Sequence, residues 1–215
     1  MADDGNPWGG DIEIPIELPV LPLRNSVIFP GSILPIDVYR EGTLAAVRRA
    51  GAMGMIAVVS QKDKTDETSN PHLHDVGCAA RILKTINLQK DKLCVIIQGL
   101  RRVWILDVDR TGVCFVARVD PIAEPDEAGD EIGTVATLKT EAKRLLALMP
   151  GMPKEANELV DGIEHAGQLA DVLASHLDLS IEEKQRLLET IPLAQRLDLV
   201  RAHIERATAA LVPDA

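Results

Sequence analysis

LPVLPLRNSVIFPG, residues 18–31, decides the fold of the first half of the chain. Short apolar runs alternate here with proline, which cannot donate a backbone hydrogen bond to a central ladder. The run over residues 18–23 is therefore predicted to be an edge strand. Pro30-Gly31 is a turn signal, and an extended pattern resumes over residues 33–39. The stretch predicts short strands separated by turns.

Beyond residue 39 the pattern stays mostly extended, with one helix. The spacing of Leu44 and Val47 predicts that helix over residues 41–52, ended by Gly51 and Gly54. An apolar strand and a polar loop follow, at residues 55–59 and 60–71. Turns at 89–91 and 109–112 then connect antiparallel strands predicted at about 76–88, 92–99, 102–109 and 113–120, the last with Val113, Phe115, Ala117 and Val119 on one face. About six strands and one short helix predict a small, partly closed barrel.

After Pro121 and Pro125 the hydrophobic period becomes helical. Four or five amphipathic helices are predicted, and Ser180 with Glu183 forms a capping-box pattern at the start of one of them. Pro192 falls in the first turn of the last. Their apolar stripes are predicted at Ile132, Val135, Leu138, Ala142, Leu145 and Met149; Ala156, Leu159, Val160 and Ile163; Leu169, Val172, Leu173 and His176; and Leu193, Leu197, Val200, Ile204, Ala207 and Leu211.

The predicted fold class is therefore α+β, in three parts. A flexible polar leader covers residues 1–17, an antiparallel β-barrel with one short helix covers 18–121, and an α-helical bundle covers 122–215.

Charge divides the chain at the same place. Residues 1–119 carry 14 acidic and 14 basic side chains, whereas residues 120–215 carry 19 acidic and 9 basic ones, so the second part holds the whole net charge of −10. Only 2% of the residues are aromatic. Nucleic-acid binding is disfavoured, because it needs cationic side chains and stacking rings.

No apolar run is long enough to span a membrane, and the polar N-terminus lacks a signal-peptide pattern. We therefore expect a cytoplasmic protein without membrane partners. Cys78, Cys94 and Cys114 lie in apolar segments without paired spacing, which favours buried, reduced thiols.

Catalytic motifs are not found. The sequence has no phosphate-binding loop, no G-x-S-x-G elbow and no H-E-x-x-H helix. Ser60 and Lys62 open a polar loop, which is a poor setting for an activated nucleophile. The sequence predicts a non-enzymatic chain without a cofactor.

His72, His74, Asp75 and Cys78 form the nearest approach to a metal-ligand cluster. A His-x-His pair on a strand could place both rings on one face. We favour the simpler interpretation, two solvated histidines and one buried cysteine, because structural zinc sites usually show paired Cys or His spacings. No metal site is predicted.

Two surface features have alternative interpretations. Arg101 and Arg102, with Arg81 and Lys84, could form a basic patch for phosphate, for an acidic peptide or, as we favour, for the acidic helical half.

The second feature is a helix break, Met149-Pro150-Gly151-Met152-Pro153. Its methionines either fill the core of the bundle, the simpler interpretation, or form an adaptable apolar surface. In the second case Leu148, Met149 and Met152 would contact a protein substrate.

Ordered blocks along the chain resemble a known family. They are LPVLPLRNSVIFPG at 18–31, LPI at 34–36, SQKD at 60–63, VGCAARI at 76–82, QGLRRV at 98–103, LAD at 169–171 and KQRLLE at 184–189. Together they are similar, over about residues 18–205, to the N-terminal substrate-binding domain of Lon ATP-dependent proteases.

The resemblance implies a PUA-like β-barrel followed by a helical bundle. It also implies engagement of unfolded or degron-bearing proteins and a part in self-association or hexamer assembly. The ATPase module and Ser-Lys dyad of the family belong to later domains, which this sequence does not contain. The alternatives are a stand-alone homologue acting as a protein–protein adaptor and, with less support, an RNA-binding PUA-like protein.

Overall fold

Six strands and six helices make up the computed structural model, which describes residues 12–51, 54–63, 71–89, 91–124, 131–149 and 155–211. The first part contains β1 (Glu17–Leu23), β2 (Ile33–Val38), α1 (Glu41–Gly51), β3 (Met55–Ser60), β4 (Val76–Gln89), β5 (Lys92–Asp109) and β6 (Val116–Pro121). The second contains α2 (Glu131–Leu148), α3 (Glu155–Gly162), α4 (Ala166–His176), α5 (Ile181–Glu189) and α6 (Leu193–Leu211). The α+β class predicted from the sequence is confirmed.

The strands form one sheet in the order β2-β5-β4-β3-β1-β6, and β6 also pairs with β5. Pairing therefore runs in a closed circuit through β5, β4, β3, β1 and β6, with β2 added alongside β5. One pairing departs from the predicted antiparallel arrangement, because β1 and β3 are parallel. Parallel neighbours need a crossover connection, and β2 with α1 supplies it.

Both faces of β3 are buried, which explains its continuous apolar run. Along β3, Ile56 and Val58 belong to one apolar cluster, and Ala57 and Val59 belong to another. The first cluster also contains α1, whose Leu44 packs on the sheet. A strand buried on both faces loses the alternation of polar and apolar residues that marks a half-exposed strand.

β1 lies between β3 and β6 and is therefore not the edge strand that its prolines predict, although only its first residues pair with β6. It pairs with β6 through Glu17–Pro19 and with β3 from Val20 to Leu23. The Val20 N–H donates to the Phe115 carbonyl at 2.9 Å, so even-numbered residues turn their N–H side towards β6. The Pro22 nitrogen faces the β6 side at a position where β1 no longer pairs with β6. The Pro19 nitrogen faces the β3 side at a position before the pairing of β1 with β3 begins. Neither proline interrupts a ladder.

β5 is one continuous strand, where the sequence predicted two with a break near Gly99. The break is a register shift against β4 between Ala79 and Ala80. At this point the loop before β2 bonds to β5, because the Gly31 N–H donates to the Gly99 carbonyl and the Gly99 N–H donates to the Ser32 carbonyl, both at 2.9 Å.

Both ends of the first part differ from prediction. The strand predicted at 113–120 begins at Val116, and its expected apolar face fails at Val113, which is exposed, while Cys114 is buried. At the start, residues 1–11 of the predicted leader lie outside the described residues. Ile14 is buried and the Ile16 carbonyl accepts the Val119 N–H, so residues 12–16 pack on the sheet instead of forming a flexible leader.

The helices of the second part follow the predicted stripes, and four of the described stripe residues are exceptions. Leu138, Ala142 and Leu145 are buried on α2, as are Leu193, Leu197, Val200 and Ile204 on α6. Met149, Leu159, His176 and Leu211 are exposed instead. Pro192 was predicted in the first turn of the last helix but precedes α6, and its carbonyl accepts the Arg196 N–H. The Ser180–Glu183 capping box is confirmed at α5.

The chain divides into two compact units, Met1–Ala123 and Glu124–Ala215. In the described part of the chain, no helix has both the length and the apolar character needed to cross a membrane.

Candidate functional site

Leu148 and Met149, two of the three predicted contact residues, lie at the C-terminal end of α2. Their side chains are 38% and 37% exposed, so Met149 does not fill the core of the bundle. The Met149 N–H donates to the Leu146 carbonyl at 3.2 Å, which holds the residue against the last helical turn. Met152, the third predicted contact, lies outside the described residues.

α3 lies beside α2 and adds a further exposed leucine to this unit. Lys143 pairs with the Asp161 carboxylate at 2.8 Å, and Lys139 donates to the Asp161 carbonyl at 3.0 Å. These bonds fix α3 against the middle of α2. Leu159 of α3 is left exposed, although its helical position predicted a core residue. The α2–α3 pair thus presents several apolar side chains to solvent.

A groove of about 1380 Å³ lies in the β unit and was not foreseen from the sequence. Four segments that are distant along the chain line it. They are residues 20–26 at the end of β1, residues 34–43 from β2 into α1, Gln61 with Pro71, and Arg110 with residues 112, 113 and 115 before β6. The closed strand circuit brings these segments together, so no local sequence signal announces the groove.

Apolar side chains that are exposed to solvent form part of the groove. Tyr39 is 61% and Val113 69% exposed, and both line the groove. Leu34 and Ile36 of β2, also in the lining, are partly buried against the first apolar cluster. A concave surface that combines apolar side chains with a few polar groups is the usual form of a ligand site.

Arginines stand over the aromatic rings of the groove. The Arg40 guanidinium lies 6.0 Å from the centre of the Tyr39 ring, and that of Arg110 lies 5.0 Å from the Phe115 ring. Arg110 also donates to the Pro71 carbonyl at 3.1 Å. These contacts hold cationic groups beside apolar surface at the groove.

Asp37, a carboxylate in the lining, is paired with a lysine. Lys92 Nζ lies 2.8 Å from Asp37 Oδ2. The hydrogen bond to Asp37 and its negative charge raise the pKa of Lys92 above its usual value. The other charged groups among the described lining residues are Arg24, Arg40, Arg110 and Glu41.

A loop and a strand hold the four residues that the sequence offered as possible metal ligands, His72, His74, Asp75 and Cys78. His72 is exposed, Cys78 is buried in β4, and Asp75 pairs with Lys62 at 3.3 Å. The His74 N–H donates to the Ser60 carbonyl. Among the residues that the structure describes, no group of three or more potential ligands is placed to hold a metal ion.

Ser60 ends β3 instead of opening a loop. It is buried, and its hydroxyl donates to the Ser26 carbonyl at 3.1 Å, while the Lys62 amine bonds to Asp75. The two side chains have separate structural partners and do not form a nucleophile–base pair.

The prediction of a basic surface patch is wrong for Arg102, one of its two main residues. Arg102 is fully buried in β5, although Arg101 remains partly exposed. In the register of the sheet Arg102 lies opposite Cys78, which belongs to the first apolar cluster. Adjacent strand residues point to opposite faces, so Arg101 and Arg102 cannot share one patch.

The three cysteines are free, but the prediction that all three are buried is wrong for Cys94. Cys78 and Cys114 are buried, and Cys94 is partly exposed in β5.

A buried ionic group in the helical unit was missed. Arg196 of α6 is 1% exposed, with Nη2 2.7 Å from Glu124 Oε2 and Nε 3.8 Å from Asp171 Oδ1. Asp171 of α4 is fully buried. A signal was present, because Arg196 lies three residues after Leu193 and four before Val200, on the apolar face of the helix. This group is structural in character and lies apart from exposed surface.

Comparison with known proteins shows that the chain belongs to one family, whose model matches most of it. Residues 17–206 match the family described as the ATP-dependent protease La (LON) substrate-binding domain. The Lon protease of Anaeromyxobacter dehalogenans is 38% identical over 198 residues, which is 90% of this chain and 24% of that protein. Lon protease 2 of Myxococcus xanthus is 37% identical over the same share of each. The chain thus spans about a quarter of the length of these relatives.

A solved structure shows the same fold. The N-terminal domain of the Mycobacterium avium complex Lon protease superposes with a TM-score of 0.74 at 24% identity, covering 88% of this chain and 98% of that one. The Lon N-terminal domain protein of Xanthomonas campestris gives a TM-score of 0.61 at 21% identity, covering 86% and 97%.

Proposed function

Because the chain belongs to the family of Lon substrate-binding domains, we propose that it recognises unfolded or degron-bearing proteins through exposed apolar side chains. The matched region is the substrate-binding domain, and the chain covers 24% of the Lon protease of A. dehalogenans. The name Lon protease assigns proteolysis to the relatives and not to this chain. The role we propose for this chain is recognition, within a cytoplasmic Lon system and with self-association as in an assembled protease.

One observation carries the proposal: the groove of the β unit presents Tyr39 and Val113 to solvent. Native proteins bury such side chains, so unfolded chains offer apolar side chains that could pack on them, whereas folded ones offer few. Selection of non-native protein follows from this difference in available apolar surface.

The end of α2 is a second proposed contact surface. Leu148 and Met149 are exposed there, and methionine adapts to differently shaped partners. We include Met152 from the sequence, because it belongs to the same Met-Pro-Gly-Met segment.

The first experiment measures binding of the full chain to one protein in its reduced, carboxymethylated form and in its native form. We expect binding of the unfolded form alone. Equal affinity for both forms, or for neither, contradicts the proposal. Stoichiometric recovery of one folded partner would instead favour the adaptor, and a salt-sensitive affinity for RNA would favour the RNA-binding alternative.

Matched variants then test the two surfaces. Tyr39→Ser and Val113→Ser should each weaken binding of unfolded protein about fivefold, the effect of losing about 1 kcal/mol. Ile16→Ser is the control, since Ile16 is 70% exposed and does not line the groove. For α2, Leu148→Ser is compared with Leu211→Ser, an exposed leucine at the end of α6.

A further inference from the structure

The groove lies between two strand edges, and each edge carries proline. β2 ends the sheet, and Pro35 in it is exposed. Among the residues that the structure describes, β1 pairs with β6 only through Glu17–Pro19, and no described strand pairs with its later residues on that side. Pro22 falls there, with its ring nitrogen on the side where Val20 donates to Phe115. Val20, Pro22 and Pro35 all line the groove.

Prolines at these positions make strand addition unfavourable. A polypeptide that paired with either edge would need N–H donors that Pro22 and Pro35 lack. Proline is also a common means by which proteins protect exposed strand edges from pairing with other chains. A bound segment must therefore be held mainly by its side chains.

The groove is basic on an acidic protein. Among the residues that the structure describes, its lining holds three arginines, Arg24, Arg40 and Arg110, and two carboxylates, Asp37 and Glu41. The chain as a whole has a net charge of −10. The local excess of positive charge is complementary to a carboxylate-bearing segment and is repulsive to a cationic one.

Cationic and apolar groups also alternate within the groove. Arg40 stands over Tyr39, and Arg110 stands over Phe115. A segment that packed an apolar side chain on either ring would place its neighbouring side chains near a guanidinium. An apolar residue flanked by Asp or Glu satisfies both groups at once.

We propose that this groove binds an extended polypeptide segment in which apolar side chains alternate with carboxylates, and that it holds the segment by side chains without adding a strand to the sheet. The proposal rests on the proposed recognition function and names the class of segment that is recognised.

Three fluorescent peptides of equal length and apolar content test the charge preference on the full chain. Leucine and phenylalanine alternate with glutamate in the first, with glutamine in the second and with lysine in the third. We expect the glutamate peptide to bind about threefold more tightly than the glutamine peptide for each arginine engaged, and the lysine peptide to bind most weakly. Added salt should reduce the preference.

Arg40→Gln distinguishes the loss of a contact between Arg40 and a peptide carboxylate from a general loss of structure. It should reduce affinity for the glutamate peptide about threefold and leave affinity for the glutamine peptide unchanged. Arg48→Gln is the matched control, since Arg48 is exposed on α1 and outside the groove lining, and it should change neither affinity. A fold defect would weaken both peptides together.

N-methylation of alternate backbone nitrogens in the glutamate peptide tests the mode of binding. One peptide is methylated on its odd-numbered backbone nitrogens and another on its even-numbered ones, and each should bind within about twofold of the unmethylated peptide. If the peptide instead added a strand to the sheet, one of the two methylated peptides would lose several backbone hydrogen bonds and bind much more weakly.

Contrary results separate the two proposals. Equal binding of the three peptides, tightest binding of the lysine peptide, or a large loss on N-methylation overturns the groove specificity. So does binding of unfolded protein without binding of any peptide. The recognition function survives all of these and falls only if unfolded protein is not bound.

Discussion

Gly99 is the residue on which the close approach of two backbone segments depends. A Cβ at this position would collide with the carbonyl oxygen of Phe29 and crowd Cys78 Sγ. The sequence predicted only that one strand ends near this residue and that the next begins at about residue 102. A glycine inside a strand also marks close approach of another backbone, and only the folded chain distinguishes the two.

Gly99→Ala should lower the free energy of unfolding by about 1–3 kcal/mol, because the backbone must move to admit the methyl group. Urea denaturation of the full chain measures the change. Gly133→Ala serves as the control, since a Cβ there meets nothing within 4 Å and alanine favours the helix. Equal stabilities of wild type and Gly99→Ala would show that the loop before β2 yields freely.

Arg196 is the second residue whose environment decides its role. Its Nε and Nη1 atoms are buried without a hydrogen-bond partner, while Nη2 bonds to Glu124. Removal of the guanidinium would leave the buried Asp171 carboxylate without its nearby cation.

Arg196→Met is therefore expected to destabilise the helical unit by about 3–5 kcal/mol, the usual effect of breaking a buried ion pair from one side. Arg201→Met, on the same helix, removes an exposed pair with Glu205 and should change stability by less than about 0.5 kcal/mol. Thermal unfolding followed by circular dichroism compares the two, and similar losses in both variants would contradict the role of burial.

At the scale of elements, α5 begins where its sequence says it should. The Glu183 N–H donates to Ser180 Oγ at 3.2 Å, and the Ser180 N–H donates to Glu183 Oε2 at 2.9 Å. That backbone hydrogen bond, followed by the bond from Arg206, lowers the pKa of Glu183 to about 2. The Arg206 contact joins α6 to α5, and no sequence pattern predicted it.

The capping box predicts a pH dependence with a definite sign. A lowered folded-state pKa means that ionised Glu183 stabilises the fold above its ordinary value of 4.5, and that this contribution is lost as the pH falls towards about 2. Glu183→Gln should therefore be less stable than wild type near neutral pH, and the difference should shrink between those two values. Denaturation curves across that range measure it; a difference that stays constant would contradict the assignment.

β1 shows where element-scale prediction fails. Its existence and length were predicted, but its position in the sheet was not. A proline removes one hydrogen-bond donor, on one side of its strand. Two prolines therefore exclude a strand from the interior of a sheet only if the neighbouring strands on those sides extend past the prolines. β6 and β3 pair with different parts of β1, and that staggered arrangement depends on the whole circuit.

At the scale of the molecule, each unit has its own set of buried apolar residues. The β unit has two clusters of its own, and α2 and α6 bury Leu138, Leu145, Leu197 and Val200 within the helical unit. A segment with its own core can fold by itself.

Residues 124–215 expressed alone should therefore be helical and unfold cooperatively. Circular dichroism and a urea transition test this, with the Arg196→Met fragment as the destabilised comparison. A fragment that stays unfolded until residues 1–123 are added would show that the units depend on each other.

The sequence by itself determined the α+β class, the order of most strands and helices, the α5 capping box and membership of the Lon substrate-binding domain family. These rest on period, turn residues and capping, which act over a few positions, and on matching blocks spread along the chain. Only the tertiary structure decided the parallel pairing of β1 and β3, the continuity of β5, the burial of Arg102 and Arg196, and the groove. Each depends on which distant segments become neighbours, and the energies of those contacts are set by packing across the whole unit.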